Sequence, residues 1–109
     1  MLFRSLGQQI VPKAVVDEIR AGGDKAAFAK GGYDLLKGGS YRDMWWVTHN
    51  ADGAFMARGV YGQRTYIDPK AEMVIARYAS HPLAANSNLD PTTLPAFHAL
   101  ALHLLENPR

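Results

Sequence analysis

The sequence predicts an α+β domain, with an antiparallel β-sheet of three to four strands packed against an N-terminal and a C-terminal helix. Two observations carry this. An aromatic and β-branched stretch from Tyr41 to Ala79 is cut into short runs by turn residues, and segments with helical spacing flank it on both sides. The strand runs follow one another without an intervening helical period, so the connections are short and the pairing antiparallel.

In chain order, the spacing predicts a helix over 12–21. Pro12 suits its first position, Val15, Val16 and Ile19 share a face, and Gly22-Gly23 stops it. Lys13 and Asp17, four apart, can pair on its outer face. Asp24 caps a shorter helix that runs to Lys30 and ends at Gly31-Gly32, and residues 31–40 read as a glycine-rich loop. A strand follows over 44–49. Asn50-Ala51-Asp52-Gly53 has turn chemistry, and 54–60 reads as the antiparallel partner. Gly59 and Gly62 bend or interrupt that strand before it resumes over 65–67. A turn at Asp68-Pro69-Lys70-Ala71 leads into a strand over 72–79. Met73, Val74, Ile75 and Ala76 make that strand apolar on both faces, as in a sheet interior covered by helices. Residues 80–93 form a long loop. Asp90-Pro91 and Thr93 cap a final helix whose stripe is Leu94, Phe97, Leu100, Ala101, Leu104 and Leu105. So apolar a strand calls for more sheet than the chain supplies, and an exposed apolar edge is a liability. The fold reads as unfinished.

The 109 residues make one domain at most, and hydrophobic content of 48% with 20% charged residues is globular. Twelve basic against ten acidic residues give a net charge of +2 with no run of like charge, which argues against nucleic-acid binding. The absence of cysteine excludes disulfides, thiolate metal sites and thiol nucleophiles. The first six residues are too short for a leader, and no apolar run approaches the ~20 residues that span a bilayer. A cytoplasmic location without membrane contact is the expectation. His98 and His103 are five apart, not the four of a zinc helix, so neither a metal nor a cofactor is expected.

Met44-Trp45-Trp46-Val47-Thr48-His49-Asn50, Arg58-Gly59-Val60-Tyr61-Gly62-Gln63, Tyr66-Ile67-Asp68-Pro69 and Met73-Val74-Ile75-Ala76-Arg77 fall on successive strands. Together they resemble the C-terminal part of the β-lactamase-related serine hydrolases, the superfamily of penicillin-binding proteins and class C β-lactamases. Within that group the chain looks most like the 6-aminohexanoate-dimer hydrolase type. Gly7-Gln8-Gln9-Ile10-Val11-Pro12 also resembles the family segment that leads into a helix before these strands. The resemblance covers nearly the whole chain and implies that residues 1–109 are a partial domain of a β-lactamase/transpeptidase-like fold.

In that family a Ser-x-x-Lys motif supplies nucleophile and base, and a Tyr-x-Asn motif assists. Neither is present: the residues three after Ser5, Ser40, Ser80 and Ser87 are Gln8, Asp43, Leu83 and Asp90, and no tyrosine has Asn two positions on. The third family box, commonly Lys-Thr-Gly, corresponds to Ala57-Arg58-Gly59 here. The resemblance then makes the backbone N–H of Val60, after Gly59, an oxyanion-hole donor, a role that any residue but proline can fill. Arg58 and Tyr61 become candidates for the substrate cleft. Loss of the Lys and Thr side chains fits amide or ester hydrolysis better than β-lactam recognition.

The expected function is that of a C-terminal fragment of an acyl-serine hydrolase acting on a small amide or ester, inactive alone. Its expected partner is the missing N-terminal half or a homodimer mate. The alternative is a non-catalytic module that dimerises or binds a protein through its open sheet edge. Trp45 and Trp46 point to opposite faces of a strand, so packing is their expected role. Asp52, Asp68 and Asp90 all read as turn or cap residues.

Overall fold

A computed structural model describes residues 4–85 and 88–108, with the side chains of Arg4 and Ser5 excepted. The leader reading at Met1–Phe3 and the loop residues Asn86 and Ser87 lie outside the described residues. Seven strands and three helices follow in order: β1 (Arg4–Ser5), β2 (Gln8–Gln9), α1 (Lys13–Ala21), α2 (Lys25–Ala29), β3 (Ser40–Arg42), β4 (Trp45–Val47), β5 (Phe55–Arg58), β6 (Arg64–Asp68), β7 (Met73–Arg77) and α3 (Thr93–Glu106). β1 and β2 form a small separate hairpin, while β3 to β7 make one antiparallel sheet in sequence order.

The fold class stands as α+β, with five strands in the main sheet where three to four were expected. Two readings change: β3 is a strand inside and just beyond the glycine-rich segment, and the run read as one strand bent at Gly59 and Gly62 reverses there into two antiparallel strands, β5 and β6. Arg42 pairs with Trp45, leaving Asp43-Met44 as a two-residue turn with φ of 49° and 71°. Such turns ordinarily carry Asn-Gly or Asp-Gly, and Met44 hides the signal. Residues 31–39 are also less loop-like than their glycines suggest. A 3-10 turn over Asp34–Leu36 buries Leu36, and Tyr33 stacks on Phe28 with ring centroids 4.8 Å apart.

Both predicted helices before the sheet form. α1 carries the Lys13–Asp17 pair at 2.5 Å, and Asp24 caps α2 by accepting from the Ala27 N–H at 3.0 Å. Strand register places Trp46, Met56, Tyr66 and Ile75 abreast on one face. There they pack with Phe28, Leu36 and the α3 residues Leu94, Phe97, Ala101 and Leu104. Leu100 departs from the expected α3 stripe and is 46% exposed. On the opposite face Val47, Phe55 and Ile67 pack against Ile19 of α1. Trp45 and Trp46 thus fall on opposite faces, Trp45 edge-on to Phe55 and Trp46 edge-on to Phe28 and Tyr33.

β7 corrects one expectation. It is the edge of the sheet, not its interior. The row Val47, Phe55, Ile67 continues to Val74, which is 66% exposed because α1 covers nothing beyond Ile67. No helix among the described residues is long and apolar enough to cross a membrane.

Candidate functional site

Strand β5 ends at Arg58 because the Gly59 N–H closes on the Gln63 carbonyl at 3.0 Å, forming a tight β5–β6 connection. Tyr61 and Gly62 turn the chain with φ of 57° and 90°. A Cβ at Gly62 would stand 2.2 Å from the His81 ring, so the turn both bends and packs only with glycine there. The loop is pinned from outside: the Tyr61 N–H donates to the Ala84 carbonyl at 3.2 Å, and the His81 N–H donates to the Tyr61 carbonyl at 3.0 Å. The Gln63 side-chain amide donates to the Ala79 carbonyl, and its oxygen accepts from the Ala79 N–H at 3.3 Å.

The four candidate residues thus lie consecutively at one end of the sheet but divide in two. Arg58 and Gly59 line an open depression of about 330 Å³ together with Gln63, Arg64, Arg77 and Tyr78. Val60 and Tyr61 stand outside it on the exposed turn, 60% and 46% exposed. The Val60 N–H makes no hydrogen bond among the described residues. Paired residues of β4 and β5 are Trp46 with Met56 and Val47 with Phe55, so Arg58 lies beyond the last of them.

Arg58 is the first of three arginines abreast. Register sets Arg58 opposite Arg64 and Arg64 opposite Arg77, continuing the inner row beyond Tyr66 and Ile75. The Arg58 guanidinium lies 4.5 Å from the Trp46 ring centroid. Burial first, and then the neighbouring Arg64 charge, push its pKa down to about 10. Arg64 is 6% exposed, donates to the Gln63 carbonyl at 3.0 Å, and leaves its buried Nε–H without a partner among the described residues. Arg77 bonds Asp90 at 3.0 Å and His81 at 2.9 Å. Asp90 is buried, which opposes ionisation. Bonds from the Thr93 hydroxyl (2.5 Å), from Arg77 and from the Thr93 N–H (3.2 Å) outweigh burial and hold the carboxyl well below the usual range.

Arg64, Arg77 and Gln63 were missed in the sequence because only strand register brings them beside Arg58. For Gln63 and Arg64 the signal was available: a β5–β6 turn centred on Tyr61 makes residues whose numbers sum to 122 face each other, whereas Arg77 needs the β6–β7 register as well.

The aspartates need one amendment. Asp68 accepts from the Ala71 N–H at 2.9 Å and Asp90 from Thr93, as turn and cap chemistry requires. Asp52 is 5% exposed, its Oδ2 has no hydrogen-bond partner among the described residues, and the basic side chains beside it are Lys70 at 3.7 Å and His98 at 4.0 Å. It faces Asp68, which is fully buried with one oxygen unpartnered. Among the described residues no group of three or more His, Cys, Asp or Glu could hold a metal ion.

No protein-family profile matches the chain. The 6-aminohexanoate-dimer hydrolase of Paenarthrobacter ureafaciens is 32% identical over 77 residues, 70% of this chain and 20% of that enzyme. A solved structure from Bacillus anthracis, provisionally given the same enzyme name, superposes with a TM-score of 0.70 at 31% identity. The match takes in 98% of this chain and 26% of that one. The chain is a relative of one part of the 6-aminohexanoate-dimer hydrolases. It spans about a fifth of the curated hydrolase and about a quarter of the solved one. The α+β sheet-and-helix unit is therefore a portion of a hydrolase fold.

Proposed function

We propose that this chain is the C-terminal part of a serine hydrolase that cleaves a small amide or ester through an acyl-serine, and that alone it turns nothing over. Kinship with the 6-aminohexanoate-dimer hydrolases over a fifth to a quarter of their length supports the parent reaction class. The missing Ser-x-x-Lys supports silence of the isolated chain, since an oxyanion donor without a nucleophile has nothing to stabilise. In this reading the partner is the remaining hydrolase segment, carrying nucleophile and base.

Within the assembled enzyme the Val60 N–H is one oxyanion donor, Gly59 lets the acyl group approach, and Arg58 and Tyr61 border the substrate. The observation that carries this is the exposed turn after β5, where Gly59 is extended and the Val60 N–H makes no hydrogen bond among the described residues. Replacing Val60 by proline removes that N–H. In the complemented enzyme Val60→Pro lowers kcat about 10²–10³-fold while Val60→Ala leaves it near wild type. Equal activity of both variants rejects the assignment.

A second reading rests on the β7 edge with Val74 exposed: a non-catalytic module that binds a second copy or another protein there. It predicts a stable dimer of the isolated chain that Val74→Lys dissociates.

A further inference from the structure

We propose that the Gln63 carboxamide is the positioning group of the β5–β6 turn, fixing the line along which the Val60 N–H points. The inference rests on the reading of that N–H as an oxyanion donor. Val60 does little to hold its own place, because its side chain stands exposed on the turn. Gln63 holds it from both sides. The Gln63 carbonyl accepts from the Gly59 N–H at 3.0 Å, and the Gln63 N–H donates to the Val60 carbonyl at 3.3 Å. Gly59 and Val60, whose shared peptide carries the donor, are thus both bonded to one residue.

Gln63 is in turn held by its side chain. β6 and β7 pair last at Arg64 with Arg77. Continued in the same register, the ladder would set Gly62 against Ala79, but Gly62 turns away with φ of 90°. No backbone bond joins those two residues. The Gln63 side chain takes the place of that rung: its NH2 donates to the Ala79 carbonyl, and its oxygen accepts from the Ala79 N–H at 3.3 Å. A carboxamide carries the same donor and acceptor as a peptide, so it can satisfy both backbone groups at once. Glutamate at neutral pH lacks the donor, and methionine lacks the donor and all but a weak acceptor. Gly59 packs on the same stem, since a Cβ there would stand 2.9 Å from the Gln63 Cβ. A misplacement of about 1 Å at a reacting centre costs on the order of 10²-fold in rate. A clamp three residues from the donor therefore governs turnover without touching substrate.

The test has two arms. In the 109-residue chain, 15N relaxation dispersion reads μs–ms exchange at the Gly59 and Val60 amides. Wild type is expected to give flat profiles and Gln63→Met exchange at both amides. Gln63→Glu is expected to show that exchange at neutral pH and to lose it as pH falls through about 4.3, where the protonated carboxyl regains a donor. Profiles that are the same in wild type and Gln63→Met would overturn the proposal. In the enzyme complemented with a Ser-x-x-Lys segment, Gln63→Met is expected to lower kcat about tenfold or more at nearly constant KM, as loss of an interaction made in the transition state does. If Val60→Pro lowers kcat and Gln63→Met does not, the clamp is wrong and the oxyanion reading stands. If Val60→Pro has no effect, the oxyanion reading fails and takes the positioning role with it. A silent mixture leaves the decision to the exchange profiles.

Discussion

Met44 and Gly62 are at positive φ, at 71° and 90°, and the two respond oppositely to substitution. Met44 is 79% exposed at the tip of the β3–β4 turn, so its side chain gives little in return for a left-handed backbone. Met44→Gly is expected to stabilise by about 1 kcal/mol, measured as a shift in urea midpoint at constant slope. Gly62→Ala adds a methyl group against the His81 ring at the same backbone cost, and is expected to destabilise by about 2 kcal/mol or more. Asp68 shows the electrostatic counterpart. Burial, and then the neighbouring Asp52 carboxylate, raise its pKa. A raised carboxyl pKa costs stability near neutrality, and the cost is relieved as pH falls through the folded value toward the ordinary one of about 3.9. Asp68→Asn keeps an oxygen for the Ala71 N–H and gives Asp52 a donor, so it is expected to gain about 1 kcal/mol at pH 7 and to lose the acid-side gain. A variant no more stable than wild type at pH 7 would mean the pair carries no such cost.

Individual elements were legible where chemistry is local. Asp24 capping α2, the Asn50–Gly53 turn and the Asp90–Thr93 start of α3 each rest on a side chain bonding backbone within four residues. β3 was not legible, because its turn uses Met where glycine is usual and Ser40 is fully buried by distant partners. Ser40 accepts from the Gly23 N–H at 3.0 Å and bonds His49 at 2.7 Å, tying α1's exit to β3 and to the end of β4. Burial, and then Lys25, lower the His49 pKa. The folded state therefore favours neutral His49. That contribution is complete above the ordinary value of about 6.5 and is lost as pH falls from there through the lowered folded value. His49→Gln is expected to flatten the stability profile just below pH 6.5, and an unchanged slope would remove His49 from the account. At the candidate site, Arg58, Gly59, Val60 and Tyr61 were found because they are contiguous. Arg64 and Arg77 were not, since only the register of three strands assembles them.

Across the whole molecule, the inner face is finished and the outer one is not. Phe55, Met56 and Tyr66 are almost wholly buried between α1 and α3, while Val74 stands open at the β7 edge. Phe55→Ala is expected to cost about 3–5 kcal/mol, enough to unfold a domain of ordinary stability. Val74→Ala is expected to cost the isolated chain little and a complemented enzyme more, if the remaining segment covers that face. The apolar run Met73–Ala76 suggested a strand inside a sheet, and the structure places it at the edge, paired on one side with β6.

The most direct measurement is hydrolysis of a p-nitrophenyl ester and of 6-aminohexanoate dimer, by this chain alone and mixed with a Ser-x-x-Lys segment of a relative. The account predicts silence from each part alone and turnover in the mixture that Val60→Pro lowers about 10²–10³-fold. Turnover by the chain alone, or a silent mixture in which the two parts nevertheless form a stable complex, would contradict it.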